Sequence, residues 1–558
     1  MNSFPKPYAF LLIFYLLSYI LLLGAWDLII PDETRYAEIP REMIAQGDWV
    51  VPRLDGLRYF EKPPLGYWVQ AGSLLLFGEN NFALRLPSAL SVGASALLIY
   101  ALAAFLVQNE KEKKDFSAIL AALVFLSCFE VFLVGNLVTL DSLFSLFLTA
   151  AIIAFFAASE APPRSAREKL FLLLSGVSCG LAFLTKGFLA FALPVLVLAP
   201  YLVWQRRYSD LFRMSWLPMV IAGLTALPWG MLIHLREPDF WRYFFWNEHI
   251  RRFLAENAQH KESFWFFFLL APAMFFPWSF LAPAVLTGIK TRFMEQSPIG
   301  RMLRLCLCWL ALPFLFFSFS SGKLITYIFP CFPPFAVLTA FGLIHAFKKE
   351  VRINLVQRGM AASTLLIGLI LMFFLYVQFF GYNGYRPYSQ TWKVTMVVNG
   401  FVFFILFCFW AFRSRDLKNK LLLFGAGPLL MFFVAHFTIP DLVMEMRAPG
   451  SLLERHRQDI VDDDIIISDK NVIRAVCWYL HRSDVYVWGA GELSYGLSYK
   501  DAGDKFVDLP SVVNLINQNR GKTVLIARIK AIREWRDQLP EPAFQDQNGS
   551  FGCVLWKF

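Results

Sequence analysis

The sequence predicts a mainly α-helical polytopic membrane protein with a small α/β domain at its C-terminal end. Three observations predict it. Apolar residues are 57% of the 558 and charged residues only 17%, against roughly 45–50% and about 25% in soluble domains. The apolar residues come in blocks instead of being scattered, and residues 439–558 alone have ordinary polarity. This apolar load excludes disorder. It also argues against a nucleic-acid module, although the net charge is +10.

A bilayer core about 30 Å thick takes about 20 apolar residues as a helix, because hydrocarbon offers backbone polar groups no other partner. Thirteen blocks have this character, near 8–26, 84–107, 116–134, 142–159, 170–185, 187–204, 214–233, 263–287, 305–319, 326–346, 359–380, 394–412 and 421–438. Only Lys6 precedes the first, its apolar run is long and no small-residue cleavage site follows, so it reads as an uncleaved anchor. Little more than Lys186 divides the fifth and sixth blocks.

The short connections on one side of these blocks hold 22 Lys and Arg, from Lys6 to Lys420, and nine acidic residues. Those on the other side hold Lys186, Lys323, Arg386 and Lys393. The positive-inside rule places the basic side, and the N-terminus, in the cytoplasm; an odd span number places the C-terminus outside. The excess of basic residues is thus a topology signal, and the remainder of the chain is slightly acidic.

The expected division is a transmembrane domain over 1–438, with outer loops 27–83 and 234–262, and an outer domain over 439–558. In the latter, strand-like runs at Asp464–Ser468, Val485–Trp488, Thr523–Ala527 and Gly552–Trp556 alternate with helical stretches such as Val472–Leu480. Polar mass on one face places the work at that face. Six cysteines lie in spans as small hydrophobes; Cys477 and Cys553, in the outer domain, are open to pairing in an oxidising compartment.

Charged residues at the outer rim are the candidate site. Asp32 follows Pro31 and precedes a helix-like stretch from Thr34 to Ala45. Helix capping explains Asp32 alone, but not Glu33 beside it where a span leaves the bilayer. Arg58-Tyr59-Phe60-Glu61-Lys62 reads either as a grip on a lipid phosphate or as an interfacial belt. Glu130 lies in the third span and Asp141 opens the fourth, where a carboxylate needs a function, a partner or a capping role. Lys186 and Lys323 run against the positive-inside trend. They either snorkel or join Arg35, Arg58 and Lys62 as cations for an anionic headgroup. In the second outer loop, Phe240, Tyr243, Phe244 and Trp246 suggest an interfacial helix, followed by the close group Glu248, His249, Arg251 and Arg252.

Asp32-Glu33 resembles the acidic motif of the GT-C membrane glycosyltransferases that use polyprenyl-phosphate sugars. Longer strings are more specific: Pro31-Asp-Glu-Thr-Arg-Tyr-Ala-Glu-Ile, Gly56-Leu-Arg-Tyr-Phe-Glu-Lys-Pro, Thr185-Lys-Gly-Phe-Leu-Ala, Arg236-Glu-Pro-Asp-Phe-Trp, Ile439-Pro-Asp-Leu-Val-Met-Glu and Gly491-Glu492-Leu-Ser-Tyr495-Gly-Leu-Ser-Tyr499. They resemble the undecaprenyl-phosphate 4-amino-4-deoxy-L-arabinose (aminoarabinose) transferases of Gram-negative bacteria, distant relatives of protein O-mannosyltransferases. The resemblance implies a multi-pass enzyme of the bacterial inner membrane, N-terminus cytoplasmic and terminal domain periplasmic. It would move aminoarabinose from undecaprenyl phosphate to a phosphate of lipid A, which weakens binding of polymyxin and cationic peptides. By matching position it implies Asp32, with Glu33 beside it, and Asp141 as catalytic acidic residues. It places Arg35, Tyr36, Arg58, Tyr59, Lys62 and Tyr327 around the donor phosphate, and a divalent metal on Glu61 and a loop histidine, His249 or His260.

The residue types suit such a reaction. Breaking a sugar–phosphate bond builds charge on the leaving phosphate, which fixed cations stabilise in a dry site. Arg gives a bidentate grip; Lys62, Lys186 and Lys323 give point charges, and Arg251 and Arg252 add two more cations. A phosphate acceptor is already ionised, so Asp32 is expected mainly to orient and only secondarily to act as a base. Asp141 is placed to stabilise an oxocarbenium-like centre. Glu492, with Tyr495 and Tyr499, is expected either to capture acceptor or to belong to a stabilising lid. The alternatives are a protein O-mannosyltransferase-like enzyme, which would need Asp32 as a true base, a lipid-linked substrate transporter or flippase, and a membrane scaffold. A transporter predicts internal repeats, and none is visible.

Overall fold

The computed structural model describes residues 7–106, 111–251, 261–290, 292–347, 350–382 and 384–558. Arg252 and His260, and Lys6, Lys348 and Lys349 of the charge pattern, lie outside the described residues. The chain divides into two compact units. The first comprises residues up to Leu22, Ser88–Gly381 and Trp392–Ala435; the second comprises Leu23–Pro87, Tyr382–Thr391 and His436–Phe558.

The first unit is helical, and each apolar block forms a helix or a bent pair. Among the described residues, nine helices are long and apolar enough to cross a membrane, and two bent pairs qualify together. The blocks at 8–26 and 187–204 form the shorter helices Pro7–Tyr19 and Leu189–Trp204, below the ~20 residues that a crossing takes.

The two bends satisfy each other. The pair Phe116–Leu126 and Phe129–Asn136 bends by 66°, and Phe266–Met274 with Trp278–Ile289 by 97°. Cys128 is extended at the first break, and Pro277, with no N–H to donate, lies at the second. Freed backbone groups in hydrocarbon need internal partners. Phe129 N–H donates to Phe276 O at 3.1 Å, and the Trp278 indole N–H donates to the Ser127 hydroxyl at 2.8 Å. Among the described residues of the second loop, Arg242–Arg251 form a π-helix. Phe240 and Phe244 are fully buried, while Phe245 and Trp246 are exposed.

The second unit combines the 27–83 loop with the terminal region, so it takes in more than the 439–558 stretch that polarity marks. Its six-stranded sheet has strands β1 (Ile465–Asp469), β2 (Tyr486–Trp488), β3 (Phe506–Val507), β4 (Thr523–Arg528), β5 (Phe544–Gln547) and β6 (Cys553–Lys557), in the order β3-β2-β1-β4-β6-β5. The first four are parallel, and β6 and β5 close the edge antiparallel. Four of the strands coincide with the strand-like runs of the sequence; β3 and β5 carry no such signal. Cys477 and Cys553 are both buried free thiols, so the disulfide reading fails. A further apolar helix, Leu65–Phe77, lies within this unit; its last residues Leu75, Leu76 and Phe77 are exposed, which suits a bilayer interface.

A hairpin locks the loop to the sheet domain. Arg53–Leu54 pairs with Leu57–Arg58 around Asp55-Gly56, whose φ angles of 55° and 69° are those of a type I′ turn. Asp55 is wholly buried. Its Oδ1 accepts from Val485 N–H at 3.3 Å and from the Cys477 thiol at 3.6 Å. The Lys505 ammonium donates to the carbonyls of Asp55 and Ser483. Glu42 accepts from Gly56 N–H, and Arg41 grips Glu38 through two bonds of 2.6 and 2.7 Å. Burial pushes the carboxyl groups of Glu38, Glu42 and Asp55 up from the ordinary range.

A Cβ at Gly56 would stand 3.3 Å from Lys505 Nζ and from Ser483 O, on a residue of positive φ. Gly56→Ala is therefore expected to destabilise this unit by about 1–2 kcal/mol, read as a lowered Tm of the detergent-solubilised protein.

Candidate functional site

The helix Asp32–Gln46 begins directly after Pro31, which occupies the N-cap position with no side-chain cap. Asp32 is thus the first helical residue, and the capping reading of it falls. Its side chain is 60% exposed and faces Arg35 Nη1 at 3.2 Å, one turn on.

Glu33, next in sequence, is buried and has different partners. Its two oxygens accept from Arg85 Nε and Nη2 at 2.8 and 2.9 Å, and Oε2 also accepts from Ile29 N–H at 2.9 Å. Arg85 in turn donates to the carbonyls of Leu23, Trp26 and Asp27. Such a pair is costly to break from one side, by about 3–5 kcal/mol. Glu33 anchors the helix start, which removes the ground for grouping it with Asp32 as a catalytic acid.

Arg35 is held from two sides. Its Nε and Nη2 donate to the Glu492 oxygens at 3.0 and 2.8 Å, while Nη1 faces Asp32. Glu492 also accepts from Arg474 Nε at 2.6 Å. Burial by itself would raise the Glu492 carboxyl, but the guanidiniums of Arg35 and Arg474 outweigh it and hold the group below the ordinary range. Asp32, Arg35, Glu492 and Arg474 thus alternate in charge. The rings of Tyr36, Tyr59 and Tyr67 close around Arg35: its guanidinium lies 5.7 Å from the Tyr36 centroid, and Tyr36 and Tyr67 are 6.2 Å apart. Burial pushes the Tyr59 phenol well up, so it stays neutral.

Arg58 donates through Nη1 to both Asp501 oxygens at 2.7 and 2.6 Å and lies 4.4 Å from the Tyr499 ring centroid. Asp501 is held below its usual range by this bond. Tyr495 and Tyr499 pack on Phe60. The 491–499 string thus contacts Arg35 through Glu492, Phe60 through Tyr495 and Tyr499, and Arg58 through Tyr499. Glu61 and Lys62 are half-buried, and the Lys62 ammonium donates to the Glu61 carbonyl at 2.8 Å.

In the first unit, a second group forms where three helical elements end. Lys186 closes the helix Ala166–Lys186 and Asp141 opens Asp141–Ser159. Their charged atoms are 2.5 Å apart, and Lys186 Nζ is 5.2 Å from the Tyr327 ring centroid. Gly187, at φ +84°, lets the chain turn there; a Cβ would strike Phe244 and His249 at 2.5 and 2.8 Å.

Lys323 does not join this group. It is buried and donates to the carbonyls of Glu262 and Ser320 at 2.8 and 2.5 Å, and burial pushes its ammonium down. It closes a loop and does not present a cation. His249 is likewise committed: Nδ1–H donates to Phe244 O at 2.8 Å, and Nε2 accepts from Phe188 N–H at 3.2 Å. Both ring nitrogens are used, so the residue does not fit a metal in this arrangement. Among the described residues no group of three or more His, Cys, Asp or Glu is placed to hold one, and no step is routed through a metal. Arg251 is exposed at the end of the π-helix.

The sequence reading missed three residues of these groups. Tyr67, Arg85 and Arg474 lie in helices where a single Tyr or Arg carries no positional signal; Tyr67 meets Tyr36, and Arg85 and Arg474 meet carboxylates 52 and 18 positions away.

A many-helix membrane protein whose paired carboxylates and cations cluster at helix ends and in its loop unit has the layout of a lipid-dependent membrane glycosyltransferase. Comparison with known proteins makes this specific. Residues 7–244 match the dolichyl-phosphate-mannose-protein mannosyltransferase family, and residues 444–555 match the arabinosyl transferase ArnT C-terminal domain. The chain is 38% identical over 552 residues to the undecaprenyl phosphate-alpha-4-amino-4-deoxy-L-arabinose arabinosyl transferase of Shewanella sediminis, covering 98% of this chain and 97% of that one. It is 38% identical to the Pectobacterium carotovorum enzyme of the same name, covering 99% and 98%. It shares its fold with the crystal structure of ArnT from Cupriavidus metallidurans bound to undecaprenyl phosphate, at a TM-score of 0.79 and 23% identity, over 99% of this chain and 97% of that one. The chain belongs to the family of undecaprenyl phosphate-alpha-4-amino-4-deoxy-L-arabinose arabinosyl transferases.

The depressed Glu492 carboxyl has a consequence for stability. Its contribution is fully present above the ordinary Glu value of about 4.3 and is lost as pH falls through the lower folded value. The stability difference between the wild type and Glu492→Gln is expected to shrink as pH drops below about 4, measured by denaturation at a series of pH values. A difference that does not vary with pH would contradict the assignment.

Proposed function

We propose that this chain transfers 4-amino-4-deoxy-L-arabinose from undecaprenyl phosphate to a phosphate of lipid A, at the periplasmic face of the bacterial inner membrane. One observation carries the reading: the segment matching the arabinosyl transferase C-terminal domain supplies Glu492, which grips Arg35 one turn from Asp32. A protein O-mannosyltransferase has support from residues 7–244 only.

In the reaction, an ionised oxygen of the acceptor phosphate attacks the anomeric carbon. The bond from that carbon to the donor phosphate oxygen breaks, and undecaprenyl phosphate leaves with the electron pair. No proton has to be removed from the acceptor. Asp32, exposed and steered by Arg35, orients a cationic group of the reacting pair. Arg58 and Lys62 stabilise the charge on the leaving phosphate, with Tyr36 and Tyr59 walling the donor. Asp141, fixed by Lys186, stabilises positive charge at the anomeric centre. Attaching an aminopentose lowers the net negative charge of lipid A and with it the affinity for cationic peptides.

Mass spectrometry of lipid A from cells with and without the gene tests the substrate. A gain of one aminopentose is expected; unchanged lipid A with altered glycoprotein would favour protein mannosylation instead. Because Asp32 caps nothing, Asp32→Asn isolates its charge, and a fall in transfer of roughly 100-fold or more is expected. Near-normal transfer would remove Asp32 from the mechanism. Lys186→Met, which removes the partner of Asp141, is expected to lower kcat by about 100- to 1000-fold, the range for losing one group that stabilises developing charge.

A further inference from the structure

Arg474 is buried, with a side chain 5% exposed, in the helix Ile473–Leu480. A buried guanidinium needs a counter-charge, and Arg474 takes the same Glu492 oxygen that Arg35 uses: Oε1 accepts from Arg474 Nε at 2.6 Å and from Arg35 Nε at 3.0 Å. The Arg474 Nη2 also pairs with Oε1.

We infer that Arg474 is a positioning residue for the transfer reaction, setting the orientation of Asp32 through Glu492 and Arg35. The physical reason is charge sharing. One carboxylate divided between two guanidiniums neutralises neither completely, so Arg35 keeps positive charge to direct at Asp32. Without Arg474, Glu492 bonds to Arg35 alone, draws its guanidinium in, and weakens the 3.2 Å contact that restrains the exposed Asp32 side chain. The terminal domain then contributes to catalysis through Arg474 without touching substrate. Asp32 is on the first turn of its helix with a side chain 60% exposed, and among the described residues its carboxylate pairs with Arg35, which is why a distant residue has leverage on it.

The inference rests on the reading of Asp32 given above, and a double-mutant cycle separates the two. Full-length wild type, Arg474→Gln, Arg474→Lys, Asp32→Asn and Arg474→Gln/Asp32→Asn are assayed for aminoarabinose transfer, with Tm measured for each. Arg474→Gln should lower kcat about tenfold with KM for the lipid donor changed less than twofold. Arg474→Lys, which restores the charge, should recover part of that loss. In the Asp32→Asn background Arg474→Gln should cost nothing further, since the residue it positions is already gone.

Independent, multiplying losses would overturn the proposal, as would a lowered Tm with kcat unchanged, or a raised KM with kcat unchanged. If Arg474→Gln does not fold, the cycle is run with Arg474→Lys, whose loss must likewise vanish in the Asp32→Asn background. Wild-type protein that transfers no aminoarabinose would instead sink the functional reading itself.

Discussion

The second unit is organised by the need to neutralise charges that are no longer in water. A guanidinium enclosed by tyrosine rings keeps its charge and needs a carboxylate to balance it, and Glu492 supplies that carboxylate to Arg35. The same requirement recurs through this unit, both within the loop region and at its seam with the sheet domain. Arg85 spans Glu33, Arg58 meets Asp501, Arg41 meets Glu38, and Lys505 closes over the turn at Asp55. Each contact is directional and fails if the backbone shifts by an ångström or two. Together they hold an irregular loop, which has little regular secondary structure beyond its helices, in one conformation. The helix that carries Asp32 inherits its placement from this seam.

The first unit solves a different problem with the same chemistry. Broken helices expose backbone groups that hydrocarbon cannot satisfy. The breaks at Ser127-Cys128 and Phe276-Pro277 are paired, so each supplies what the other lacks. Charge is then confined to helix ends, where Lys186 and Asp141 meet under Tyr327. Lys323 and His249, equally prominent in the sequence, are spent on backbone carbonyls and an N–H and hold their loops closed.

Much of the fold was legible because its signals are local. The apolar blocks each became a helix or bent pair, and the strand-like runs at 464–468 and 523–527 became central strands, buried nearly throughout, since burial on both faces asks for a short continuous apolar run. The strands β3 and β5 were not legible: at two and four residues they are too short for a period, and they exist because a neighbouring strand offers an unpaired edge. In the two charged groups, Asp32, Arg35, Asp141, Lys186 and Glu492 were all singled out in the sequence. Their partners were not. Asp32 and Glu33 look alike in sequence, yet one is exposed beside Arg35 and the other is buried against Arg85, because consecutive helical residues point about 100° apart.

By itself, the sequence determined that this is a multi-pass membrane protein with a polar terminal domain and a rim of paired charges, since hydropathy and charge act residue by residue on transfer from water. Only the tertiary structure decided which charges pair with one another and which bind backbone groups and close loops. That decision depends on which residue, hundreds of positions away, arrives within about 3 Å, and no local pattern encodes such an arrival.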